Sequence, residues 1–160
     1  MPQLVVIIAL MGVLPVVSIL AEYLLSAGVA SLVALVGKWF VFWAVGWRLL
    51  LAGAWQIGNP AYTAQTIFRI ADPSAHRLVA EIGFGNVAIG TLGVLSIFTG
   101  AWVIPAAIAG FLFYALAGAR HVFNRDRTSP ENLAMVSDIF IALVLAAYLI
   151  VAGTEAALLP

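Results

Sequence analysis

Apolar residues in this sequence do not alternate with polar ones. They gather into five long runs, at about 4–25, 32–57, 76–98, 102–123 and 131–152, separated by short polar or turn-forming stretches. Each run reaches the ~20 residues that a helix rising ~1.5 Å per residue needs to cross ~30 Å of hydrocarbon. Inside lipid the backbone must satisfy its own hydrogen bonds, so such runs form helices rather than open strands. The pattern predicts one all-α domain over residues 1–160, a polytopic transmembrane bundle of about five helices. The count is least fixed at residues 23–37, where "LLSAGVASLVALV" also suits a re-entrant or interfacial piece beside four full spans. The first run has no basic leader and is longer than the ~7–15 apolar residues of a signal peptide. It reads as a retained span.

The breaks between runs differ in kind. Residues 58–75, "GNPAYTAQTIFRIADPSA", open on Asn-Pro and close on Asp-Pro, both turn signals. Between them, Tyr62, Ile67, Phe68 and Ile70 suit a short interfacial segment over about 60–72. In "NRDRTSP" at 124–130, Ser129 reads as an N-cap, Pro130 as the first helical residue and Glu131 as a first-turn acid. The link at 99–101 is minimal, so the third and fourth helices form a tight hairpin. Two stripes of small and polar residues, Gly83–Asn86–Gly90–Gly93 and Gly110–Tyr114–Gly118–His121, are therefore expected to pack on each other. Bases cluster on one side of the bundle: Arg69, Arg77, Arg120, Arg125 and Arg127 flank the second-to-third and fourth-to-fifth links, against Lys38 on the other. The positive-inside bias then predicts a multi-pass protein of the inner (plasma) membrane, N-terminus cytoplasmic and C-terminus outside.

Composition supports the membrane reading and narrows the chemistry. The chain of 160 residues is 64% hydrophobic and 9% charged, where soluble domains carry roughly 25% charged residues. Its seven bases and seven acids cancel, which argues against nucleic acid as a partner. There is no cysteine, which excludes disulfides, thiolate metal sites and thiol catalysis. The lipid bilayer is the partner that the sequence names. A homo-oligomer or a larger membrane complex would extend it.

A few ionisable residues interrupt the oily runs, and such residues are costly unless answered. Helical rise places Asp138 roughly 10–12 Å into the fifth helix, Glu81 about 8 Å into the third, Arg48 about 13 Å up the second and Tyr114 about 10 Å from the end of the fourth. All start from the basic side, so Arg48, Glu81, Asn86, Tyr114, His121 and Asp138 form the candidate ligand- or proton-binding cluster. Arg48 is the expected counter-charge, because its planar guanidinium cannot deprotonate and suits a carboxylate. The same layer would also serve simply to lock helices in register. Trp43 and Trp47, one turn apart, are candidate pocket aromatics, although packed or lipid-facing tryptophans are commoner. Glu22 and Lys38 read as a rim salt bridge on the opposite side.

Specific chemistries find thin support. Glu81, His121, Glu131 and Asp138 could supply hard metal ligands, but no Glu-x-x-His spacing occurs, and the metal stays unassigned. The two histidines, His76 and His121, fall at the ends of neighbouring helices and do not suit a haem. No nucleophile elbow, triad or phosphate loop is present, so no catalytic residue and no cofactor is assigned. The favoured reading is a non-enzymatic membrane protein that binds or conducts a small solute, with proton coupling through the acid. Alternatives are an accessory or structural subunit of a larger complex, a binder of a quinone or lipid, and a metal-dependent membrane enzyme.

The segments "GKWFVFWAVGWRLLLAG", "EIGFGNVAIGTLG", "AGARH" and "ENLAMVSDIF" resemble an uncharacterised family of small polytopic prokaryotic membrane proteins, over about residues 37–150. That resemblance implies membrane location and a single helical domain. It implies no activity, cofactor or catalytic residue.

Overall fold

The computed structural model describes residues 2–124 and 126–157. Among them every regular element is helical. Five helices are long and apolar enough to cross a membrane: α1 (Leu4–Leu25), α2 (Leu32–Gly58), α3 (Ala75–Leu95), α4 (Gly100–Phe123) and α5, whose span Glu131–Glu155 lies within a helix running Ser129–Ala157. The chain is a multi-pass helical membrane protein. Large apolar side chains such as Leu24, Phe98, Leu116, Leu143 and Ile150 stand on the outer surface, where a soluble bundle would place charge. In lipid they need no cover.

The stretch at 23–37 holds the end of α1, a turn at 26–31 and the start of α2, not a re-entrant piece. Ala27 and Gly28 take left-handed backbone angles (φ 51° and 77°), which reverse the chain, and Ser31 caps α2 by accepting from the Ala34 N–H. On the basic side, residues 60–67 form a short helix that tucks Thr63 and Ala64 inward and leaves Tyr62, Phe68 and Ile70 exposed. It ends at Ile67, and two residues on, Arg69 also adopts a left-handed angle (φ 57°). In the following turn the Ser74 N–H donates to Asp72 at 2.8 Å and holds that carboxyl below the usual range. The cap of α5 lies one residue earlier than the spacing suggested. The Thr128 side chain accepts from the Glu131 N–H while Glu131 accepts from the Thr128 N–H at 2.7 Å, a reciprocal capping box with Ser129 already helical. Arg125 lies outside the described residues.

α2 is the hub. Val41, Ala44, Val45 and Leu49 are buried with Ala106, Ala107 and Tyr114 of α4 and Ile141 and Leu145 of α5. Its glycines face α3 instead. A Cβ added to Gly46 would meet the Val94 nitrogen at 2.8 Å, one added to Gly53 would meet the Gly83 carbonyl at 2.6 Å, and one added to Gly93 would meet the Gly46 Cα at 2.7 Å. The two backbones touch over several turns, as small residues allow in membranes. The expected partnership of the α3 and α4 stripes is therefore corrected. The short α3–α4 link makes them antiparallel neighbours, but the α3 stripe packs on α2. Gly110 of α4 faces Val45, and Gly118 faces Ile139 of α5. Backbone contact needs glycine on both sides, and α2 offers it.

A polar layer around Arg48

Three of the polar residues come together in the half of the bundle nearer the basic links: Arg48 on α2, Tyr114 on α4 and Asp138 on α5. Gly118 brings α5 close at this level, since an added Cβ would lie 3.6 Å from the Asp138 Cβ. Tyr114 is 1% exposed and Asp138 7%. Arg48 lies within electrostatic reach of both.

The backbone of α2 is altered here. Residues Val41–Trp47 are wound as a π-helix, a rare form that concentrates at functional sites. The Arg48 N–H would donate to the Ala44 carbonyl in a regular α-helix. It reaches instead to Trp43 and Val45. The Ala44 carbonyl, so passed over, accepts from the Tyr114 hydroxyl. A buried phenol and a freed carbonyl thus satisfy each other across two helices.

The charged pair is not satisfied in this way. The Arg48 Nε atom is buried and has no hydrogen-bond partner. Among the described residues the sole ion pair is Lys38–Glu22, so Arg48 and Asp138 face each other from beyond 4.0 Å. A guanidinium that cannot lose its charge is held in an apolar bundle near an acid that it does not touch. Such a charge is expensive unless something answers it.

The other candidates lie elsewhere. Glu81 is exposed on the outer face of α3, because the opposite face is taken by the glycine seam. Asn86 is buried, and its amide donates to Gln56 of α2 at 2.8 Å, with its Oδ1 left without a partner. Gln56 is a polar residue the sequence reading passed over, though an amide late in an apolar helix is itself a signal. His121 stands at the end of α4, lining a separate pocket with Arg69, Arg120 and Glu131. Trp43 donates to Ser18 of α1 at 3.0 Å, and Trp47 packs edge-on to Phe42. No three His, Asp or Glu side chains among the described residues come together as a metal site would require. Glu81 is remote from the others, and both Glu131 oxygens are already engaged by Asn124 and Thr128.

On the far side, Lys38 reaches both Glu22 oxygens at 2.8 Å, and Trp39 donates to the same carboxylate. This rim pair forms as the sequence suggested. It closes completely where the deep pair does not.

No curated protein and no solved structure matches the chain. The match that exists covers nearly its whole length, from the first spanning helix to the end of the last. A family model fits residues 4–157, and the chain belongs to that family, described as a family of unknown function (DUF6790).

Proposed function

We propose that this protein binds a small solute bearing an acceptor group, such as a carboxylate, phosphate or carbonyl, between Arg48 of α2 and Asp138 of α5. The observation that carries the reading is the buried Arg48 Nε, without a partner among the described residues, with an acid in electrostatic reach but beyond ion-pair distance. A guanidinium fork matches an oxyanion with two parallel donors. The π-helical turn and the Tyr114–Ala44 bond brace the backbone from which Arg48 projects. An anionic solute would add one negative charge to a layer that already holds a carboxylate. Uptake of a proton on Asp138 would restore the balance, which makes the acid the coupling group. Conduction across the membrane would follow if the layer opens alternately to each side. The basic links, with the N-terminus, are assigned to the cytoplasm by their charge.

The test is native mass spectrometry from mild detergent or nanodiscs, with acetate, inorganic phosphate and neutral acetamide as probes. The wild type is expected to retain an oxyanion that Arg48→Gln releases, with roughly a 10–100-fold loss of affinity for a charge-assisted contact. Asp138→Asn should keep binding and abolish proton uptake. Equal retention by Arg48→Gln would remove the reading. Because the chain has no cysteine, cysteines introduced singly at Ala71 and Val29 can be labelled from either side to test the orientation.

A further inference from the structure

A second pocket, of about 420 Å³, opens at the basic end of the bundle, between the 60–70 segment, the end of α4 and the start of α5. Its lining combines apolar and charged side chains of both signs. Phe68 and Ile70, both exposed, form an oily margin. Arg69 and Arg120 supply two guanidinium groups with no hydrogen-bond or ion-pair partner among the described residues. Asp126 and Glu131 supply carboxylates to the same pocket.

The structural work at this end is done by other groups. Arg127 caps α4, its guanidinium donating to the carbonyls of His121, Val122 and Asn124. Glu131 closes the α5 capping box, yet its charge remains within reach of Arg69. Arg69 itself sits at a left-handed position (φ 57°), where glycine is the undemanding choice and an arginine is held at a cost. Among the described residues no hydrogen bond or ion pair in the turn uses the guanidinium.

Two cations without a partner among the described residues would favour a phosphate. Two carboxylates in the same space disfavour a ligand that is only anionic, by like-charge repulsion. A ligand with a phosphate and a primary ammonium answers both, and the apolar margin at the membrane surface suits acyl chains. We propose that this pocket seats the headgroup of a zwitterionic aminophospholipid, its phosphate toward Arg69 and Arg120 and its ammonium toward Asp126, with the Glu131 charge nearby.

The test is lipid retention by native mass spectrometry, with phosphatidylethanolamine, phosphatidylglycerol and phosphatidylcholine of matched chains added to the full-length protein. The water-soluble glycerophosphoethanolamine serves as the headgroup without chains. Phosphatidylethanolamine is expected to be retained about tenfold more strongly than phosphatidylglycerol, which lacks the ammonium. It should likewise exceed phosphatidylcholine, whose quaternary nitrogen has no N–H to donate. Arg69→Gly deletes the guanidinium while relaxing the turn, so it should lower retention about tenfold with no loss of thermal stability. Asp126→Asn should narrow the preference over phosphatidylglycerol. Equal or stronger binding of phosphatidylglycerol would overturn the assignment, as would unchanged retention in Arg69→Gly. Binding of glycerophosphoethanolamine as tight as that of the lipid would identify a soluble ligand and overturn the lipid one.

Discussion

Two places where opposite charges approach each other within the span of this bundle, one at its rim and one deep, are built on opposite plans. At the rim, Glu22 and Lys38 are each about a third exposed, at 34% and 33%, and touch at 2.8 Å. In the deep layer, Asp138 is buried, Arg48 is half-buried with its Nε out of contact with solvent, and the two stay apart. Electrostatics alone would favour the reverse, since attraction strengthens as the dielectric falls. A pair at the rim can close because water helps meet what the partner does not. A deep pair held open leaves Arg48 without a partner among the described residues. On the proposed reading, closure marks a structural pair and separation a place for a ligand.

This contrast can be broken experimentally, beginning with the seam that holds Arg48 in place. A Cβ at Gly90 would run into the Leu50 backbone and lie 2.8 Å from the Gly46 carbonyl. Gly90→Leu should therefore destabilise the bundle by on the order of 3 kcal/mol or more, read by unfolding in detergent. Next comes the deep charge. If no protein group answers Arg48, Arg48→Met should leave thermal stability unchanged or raise it by about 1–3 kcal/mol, because an apolar side chain replaces a half-buried cation. A loss of several kcal/mol would mean that Arg48 has a structural partner. Tyr114→Phe removes the donor that satisfies Ala44 and should cost about 1–2 kcal/mol, with a change in amide exchange confined to the π-helical turn. The rim is the mildest case. Lys38→Met should cost only about 0.2–1 kcal/mol, and salt should reduce that further, as for other pairs open to water.

The features that were legible in the sequence are those that depend on distance along the chain. Hydropathy located all five spans, and the rise per residue put Arg48, Tyr114 and Asp138 at one level. What depth cannot give is direction around the helix axis. Glu81 has the right depth but lies about 180° from Gly90, at ~100° per residue. The glycines had already marked the inward face of α3, so its exposure was written in the same residues. Which helix those glycines meet was harder to see. The short α3–α4 link suggested α4, whereas Gly46 and Gly53 on α2 decided it. The π-helical turn had no signal, because it arises from backbone hydrogen bonds that any apolar sequence could make, and although Tyr114 stood out in the sequence, its acceptor, the Ala44 carbonyl, did not. The charges of the 58–75 and 124–130 links were read for orientation, but only folding showed that Arg69 and Arg120 share a pocket with Asp126 and Glu131.

A double-mutant cycle between Arg48 and Asp138 tests the central claim most directly. The substitutions Arg48→Met and Asp138→Asn, alone and together, would be compared by unfolding free energy in solute-free detergent. Two charges held apart for a ligand predict a coupling below about 1 kcal/mol, against the several kcal/mol typical of a closed, desolvated pair. A coupling of about 2 kcal/mol or more would contradict the account, because Asp138 itself would then be the group that answers Arg48.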